Sequence, residues 1–147
     1  MAAKNAAGSL LKIRPNGIIG EVANSVNTPA SRIAQNQVNG NFARDSISAR
    51  FPGARTEVTL PTLQGVRRLD VLTPSGLAIE SKVGLTSLSS DIRTQIIKDV
   101  ELLNDPLQPV NSLRWEFSRS PVTGKVGPNL SLENFLRQNG IEVIINR

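Results

Sequence analysis

The spacing of apolar positions changes along the chain, and each change predicts an element. In "ARTEVTLP", Val58 and Leu60 alternate with Glu57 and Thr59, the period of a half-buried strand. "RRLDVLTPSGLAIESKVG", Arg67 to Gly84, reads as two arms of apolar β-formers joined by a tight turn. "SSDIRTQIIKDVELLN" places Ile92, Ile96, Val100 and Leu103 on one helical face, with Ser90 as the expected N-cap, Asp91 in the first turn and a stop before Pro106. "SLRWEFSRS" alternates Leu113, Trp115 and Phe117 with Arg114, Glu116 and Ser118, as a strand does. "SLENFLRQNG" predicts a short helix stopped by Gly140, and "IEVIIN" a final β-branched strand. Upstream, "NFARDSISARF" sets Phe42, Ile47 and Phe51 roughly along one helical stripe that Pro52-Gly53 ends. The order α, three strands, α, strand, α, strand is that of an α/β sandwich. Residues 1–40 are rich in Ala, Asn, Ser and Gly, with turn signals in "RPNG" and "NTPAS". They are expected to be a linker or extension, and 41–147 the domain.

The hairpin turn "TPSG" admits more than one loop length, and a one-residue slip reverses every side chain. A three-residue loop, with Pro74 opening a type I turn and Gly76 in the left-handed position, pairs Thr73 with Leu77. Asp70 then faces Glu80, Arg68 faces Lys82, and the opposite side becomes Leu69, Val71, Leu77, Ile79 and Val83. The two-residue alternative mixes charge into that apolar side, so patterning favours the longer loop. One face of the hairpin is thereby expected to carry Arg68, Asp70, Glu80 and Lys82 together. Two opposed carboxylates repel, and a divalent cation bound by hard oxygen ligands would neutralise both. The competing explanation is a salt-bridge ladder on an exposed hairpin. An isolated Glu-x-Lys triplet is common by chance; the apolar strand around it, the Asp opposite and the helix after it are what give it weight.

Composition narrows the chemistry. The 147 residues, 39% hydrophobic, suit one core better than two. With no His and no Cys, the chain lacks a Ser-His-Asp triad, histidine-based ribonuclease or zinc-protease chemistry, thiolate metal sites and disulfides. Catalysis would have to run on carboxylates, Lys, hydroxyls or a metal held by oxygen. A formal charge of +5 suggests a polyanionic or acidic partner. No targeting signal is evident at the start, and no apolar run has membrane length, so no membrane anchor is expected in this fragment.

The Asp70 and "ESK" Glu80-Ser81-Lys82 arrangement, on this element order, resembles the PD-(D/E)XK nuclease superfamily. That resemblance implies a restriction-endonuclease-like αβββαβ sandwich with a mixed central sheet, here followed by an extra C-terminal helix and strand. It implies Mg²⁺ or a similar divalent metal held by Asp70 and Glu80 with the Ser81 carbonyl, and Lys82 stabilising charge or positioning water. The family's polar residue on the following helix has Gln95 and Lys98 as candidates. Leu69 stands where some members have Pro, and an acid on the first helix, present in some members, could be Asp45, with Glu57 competing.

"NGNFARDSI", the hairpin and "FSRSPVTGKVGPNLSLENFLRQNGIEVII" further resemble C-terminal toxin modules of bacterial polymorphic toxins of the contact-dependent inhibition, Rhs or hemagglutinin-like kind, over about residues 39–147. This implies an antibacterial nuclease at the tip of a larger secreted or cell-surface polypeptide. It would act in the target-cell cytoplasm, on tRNA by preference or on DNA, and be neutralised by a cognate acidic immunity protein.

Arg68, Lys98 and Lys125 are the candidate nucleic-acid contacts, Lys125 from the Gly-Pro loop "SPVTGKVGP". "TGKV" lacks the earlier Gly and the following Ser or Thr of a P-loop. Thr86, Ser87, Ser89 and Ser90 could meet phosphate at a helix N-terminus or simply cap it. Trp115 is expected in the core. The rival to catalysis is a basic module that only binds nucleic acid or an acidic protein.

Overall fold

The computed structural model describes residues 28–147. Helix α1 spans Pro29–Ser48, followed by β1 Arg55–Leu60, β2 Arg67–Leu72, β3 Leu77–Val83 and the short β4 Leu85–Thr86. Then come α2 Ser90–Asn104, β5 Ser112–Ser118, the short β6 Gly127–Pro128, α3 Leu130–Gln138 and β7 Glu142–Asn146. The chain divides into two units, Met1–Val38 and Asn39–Arg147. Of the linker expected over 1–40, residues before 28 lie outside the described residues, while 29–40 belong to α1.

The expected α/β class and mixed sheet are present. Five strands run in the order β1-β2-β3-β5-β7. The first two pairings are antiparallel, the natural outcome of tight connections. β3 with β5 and β5 with β7 are parallel, because α2 and α3 carry the chain back between them. Two short strands that patterning did not reveal, β4 and β6, pair in parallel and tie the loop before α2 to the Gly-Pro loop.

Both faces of the sheet are covered. On one, Leu72, Ala78, Leu113, Trp115, Phe117 and Val143 pack with Ile96 and Leu102 of α2 and Leu132 and Leu136 of α3. On the other, Val71 and Ile79 pack against Ile47 near the end of α1, with Phe51, Ala54 and Leu77 around them. The first helix departs from expectation. It begins at Pro29 and ends at Ser48, so Phe51 lies beyond it, and Phe42 points to solvent at 73% exposure. Only Ile47 of α1 is buried, so the short terminal contact rather than a long apolar stripe joins this helix to the sheet. In α2 the N-cap is Ser89, one residue before the expected Ser90: its side chain accepts from the Ile92 N–H at 3.2 Å.

The hairpin closes as expected. Val71 pairs with Ile79 and Leu72 with Ala78, and the Thr73 N–H donates to the Leu77 carbonyl at 3.0 Å across the Pro74-Ser75-Gly76 loop. Gly76 holds φ +90, and a Cβ there would sit 2.9 Å from the Pro109 carbonyl oxygen, so no other residue suits the turn.

Beyond Val71 the pleat breaks. β1 pairs Thr56 with Val71 and Val58 with Leu69, and the two residues between, Glu57 and Asp70, are left out of the ladder. Glu57 carries a φ of 55, a left-handed conformation unusual for a side-chain-bearing residue. On the other side, the Ser81 N–H donates to the Asp70 carboxylate at 2.8 Å. The alternation of β2 therefore reverses at Asp70. Leu69 joins Leu72 and Trp115 in the larger core, while Val71 faces Ile47. The expected single apolar face of Leu69, Val71, Leu77, Ile79 and Val83 is thus split between the two sides.

Candidate active site

Reversal of the pleat decides which arginine meets the acids. Arg67, not Arg68, lies on the side of Glu80, and it is buried. Arg68 is exposed and its guanidinium lies 3.7 Å from Glu57, which corrects its expected place beside Lys82. A regular ribbon would have put Arg68 inside; the break at Glu57 and Asp70 turns it out.

Strand β3 supplies the rest of the cluster. Glu80 and Lys82 are paired across the sheet with Trp115 and Phe117, so they emerge on the α2 and α3 side. The Asp70 carboxyl lies against the Glu80 carboxylate, and each shifts the other's pKa, Asp70 upward and Glu80 downward. The Lys82 ammonium lies 3.5 Å from Glu80 Oε2, 3.0 Å from the Gln95 side-chain oxygen and 5.2 Å over the Trp115 ring. Asp70, Glu80, Lys82 and Gln95, drawn from β2, β3 and α2, are therefore gathered at one place. Lys98 and Lys125 are not in this cluster's bonding network. Lys98 donates to the Val66 carbonyl at 3.0 Å, and Lys125 is exposed in the loop before β6. Asp45 is exposed and bonded to Arg44, which also pairs with Glu57.

Beneath the acids lies a layer that sequence reading missed. The Arg67 guanidinium donates from Nη2 to Glu80 Oε1, from Nε to Asp99 Oδ1 at 2.6 Å and from Nη2 to Asp99 Oδ2 at 3.3 Å. The Trp115 indole N–H donates to Asp99 Oδ2 at 3.0 Å, so this core tryptophan also has a polar duty. Asp99 had one legible signal. It stands four residues after Gln95 and three after Ile96, which puts an acid on the buried side of α2.

Charge explains the protonation. Asp70, Glu80 and Asp99 face Arg67 and Lys82, three acids against two cations. Burial, then the Glu80 carboxylate beside it, pushes the Asp70 pKa up from 3.8 to about 8, against the pull of the Ser81 N–H and Lys82. Glu80 moves the other way. Burial opposes its charge, but the hydrogen bond from Asp70 and the charges of Arg67 and Lys82 hold it below the usual carboxylate range. Burial raises Asp99 despite its bonds to Arg67 and Trp115. Arg67 is held in its charged form, since Glu80 and Asp99 outweigh the cost of its burial.

This donor set suits a hard divalent cation. The two carboxyls lie side by side with the Asp70 pKa raised, and a cation bound between them could take the place of the Asp70 proton. Among the described residues no group of three His, Cys, Asp or Glu is arranged to hold a metal. The chain would then supply two carboxylate ligands and leave the remaining positions to water or substrate oxygen, an arrangement Mg²⁺ accepts.

Comparison with protein-family models, curated proteins and solved structures gives no match to this chain.

Proposed function

We propose that the protein is a metal-dependent nuclease that hydrolyses phosphodiester bonds, with Asp70, Glu80 and Lys82 at its centre. The observation that carries this reading is the carboxylate pair: Asp70 and Glu80 side by side, with the Lys82 ammonium 3.5 Å from Glu80. A protein that only bound polyanions would gain nothing from two opposed carboxyl groups at its centre and would bind more tightly without them. The order of elements and strands fits the restriction-endonuclease-like αβββαβ plan, with α3 and β7 as the additions, which supports membership in the PD-(D/E)XK superfamily.

In this reading Asp70 and Glu80 hold a divalent cation, Mg²⁺ by preference. When bound, the ion supplies Lewis-acid polarisation of a phosphoryl oxygen and lowers the pKa of water. Lys82 answers the negative charge that grows on the phosphoryl oxygens in the transition state. Its ammonium is already aimed by Gln95 and by the face of Trp115, so little reorganisation is needed at the moment of reaction. The setting proposed for this chemistry is an antibacterial toxin module that enters a target cell and cuts tRNA, with DNA as the competing substrate. Its positive charge suits both nucleic acid and an acidic immunity protein that would block it.

The test is incubation with a cellular tRNA pool and with plasmid DNA, each with Mg²⁺ and with a chelator. Cleavage of either that needs the ion, and that is lost in Asp70→Ala, Glu80→Ala and Lys82→Ala variants that remain folded, is the expected result. Nucleic-acid binding without cleavage would favour the basic binding module instead.

A further inference from the structure

We propose that Asp99 holds Arg67 as an internal counter-cation which Glu80 gives up when a divalent ion enters, so that the Arg67–Asp99 pair sets the ion affinity without touching the ion. The inference rests on reading Asp70 and Glu80 as a cation site, and it assigns a positioning role to two residues outside it.

The contacts of Arg67 are unequal. Asp99 takes two donors of its guanidinium in a fork, at 2.6 and 3.3 Å, and the Arg68 carbonyl takes a third through Nη1 at 2.7 Å. Glu80 takes Nη2 in the closest of these contacts, but it is a single contact, made through one oxygen. If Glu80 turns its charge to an incoming ion, Arg67 loses one contact and keeps three, so it stays in place and stays paired. Asp99 is itself fixed by the Trp115 indole N–H at 3.0 Å and is 2% exposed, so solvent cannot take its place. A buried arginine with one carboxylate partner would resist the loss of that partner strongly. With two, it can release one.

Two variants with opposite expected signs separate this role from a merely structural one. Asp99→Asn keeps the shape and an acceptor for Trp115 but leaves Glu80 as the sole carboxylate of Arg67. Their pairing tightens, and affinity for Mn²⁺, measured by calorimetry on the full chain, falls roughly tenfold. Arg67→Gln removes the competing cation, so Mn²⁺ affinity rises and the ion raises the melting temperature by more than it does in wild type. In the Arg67→Gln background, Asp99→Asn then changes affinity by less than about twofold, because Asp99 acts through Arg67. Trp115 is the only tryptophan, so its fluorescence reports the network directly. It is expected to shift on Mg²⁺ addition in wild type.

If Asp99→Asn binds Mn²⁺ as wild type does, if both single variants bind more weakly, or if the two effects simply add in the double variant, the counter-cation role is overturned while the cation site stands. If wild type itself binds no Mn²⁺ at millimolar concentration, the cation site is overturned and this role with it.

Discussion

Two buried carboxylates on opposite faces of the same sheet have different company. Glu116, on β5, is fully buried on the α1 side, where Arg50 donates to its Oε1 at 2.6 Å and the Arg114 guanidinium lies 3.5 Å from its Oε2. Arg114 also pairs with Glu142 at 2.8 Å, and the Asn146 amide donates to Glu116 at 3.3 Å. Two acids meet two arginines, and the charges close among themselves. On the other face Glu80 sits in a group of three acids and two cations, and the excess is held off by a proton on Asp70. A balanced buried cluster serves the fold. An unbalanced one carries an electrostatic cost that a ligand of opposite charge can remove, and this difference, more than burial, marks the Asp70–Glu80 face as the site.

The comparison is broken most directly by exchanging damage between the faces. Asp70→Ala, Glu80→Ala and Lys82→Ala are each expected to lower cleavage by at least about 100-fold. Glu116→Gln leaves the rate within about twofold of wild type and lowers only stability, by about 2 kcal/mol, because two arginines lose their shared partner. Rates and melting curves on the four variants decide it; equal loss of cleavage in Glu116→Gln would erase the distinction.

Next in size is the dependence of stability on pH. The Asp70 pKa is raised in the folded protein, so the folded state holds a proton that the unfolded chain releases above its ordinary 3.8. The stability this contributes is full below 3.8 and is lost as pH rises through about 8. Glu80, lowered, works in the opposite direction, but its stabilisation fades only as pH falls below the usual carboxylate range. Between about pH 5 and about pH 8 the ion-free melting temperature should therefore fall, Asp99 adding to the fall in the same direction, and Asp70→Asn should make it shallower. Saturating Mg²⁺ should flatten it too in wild type. A wild-type curve that rises across this window would contradict the raised Asp70 pKa.

Smaller effects sharpen the picture. Arg50→Ala is expected to cost about 1–2 kcal/mol, since Arg114 and Asn146 remain with Glu116, and to leave cleavage unchanged. Gln95→Ala should slow cleavage by roughly fivefold to tenfold with little change in melting temperature, because Lys82 keeps Glu80 and the Trp115 face as guides. Single-turnover rates would show it.

What the sequence by itself determined was whatever neighbours along the chain enforce. Alternation and turn chemistry were enough for the three-residue loop at Gly76, for Thr73 opposite Leu77, and hence for Asp70 near Glu80, because a hairpin is closed by residues a few positions apart. Helical spacing located α2 and α3, and alternation located β5. The partners that make the site depended on contacts between distant segments. Arg67 rather than Arg68 faces Glu80 because β1 contributes the Glu57 break opposite Asp70, and periodicity within β2 holds no trace of a neighbour's backbone. Asp99 reaches Arg67 across 32 positions, and Trp115 reaches Asp99 across 16, only once α2 lies on the sheet. Glu116, polar on an alternating strand, reads as solvent-facing; the segment after α1 covers it with Arg50, 66 residues away. Local geometry is written in local spacing, whereas the balance of buried charge is a property of the packed whole, and tertiary structure alone decided it.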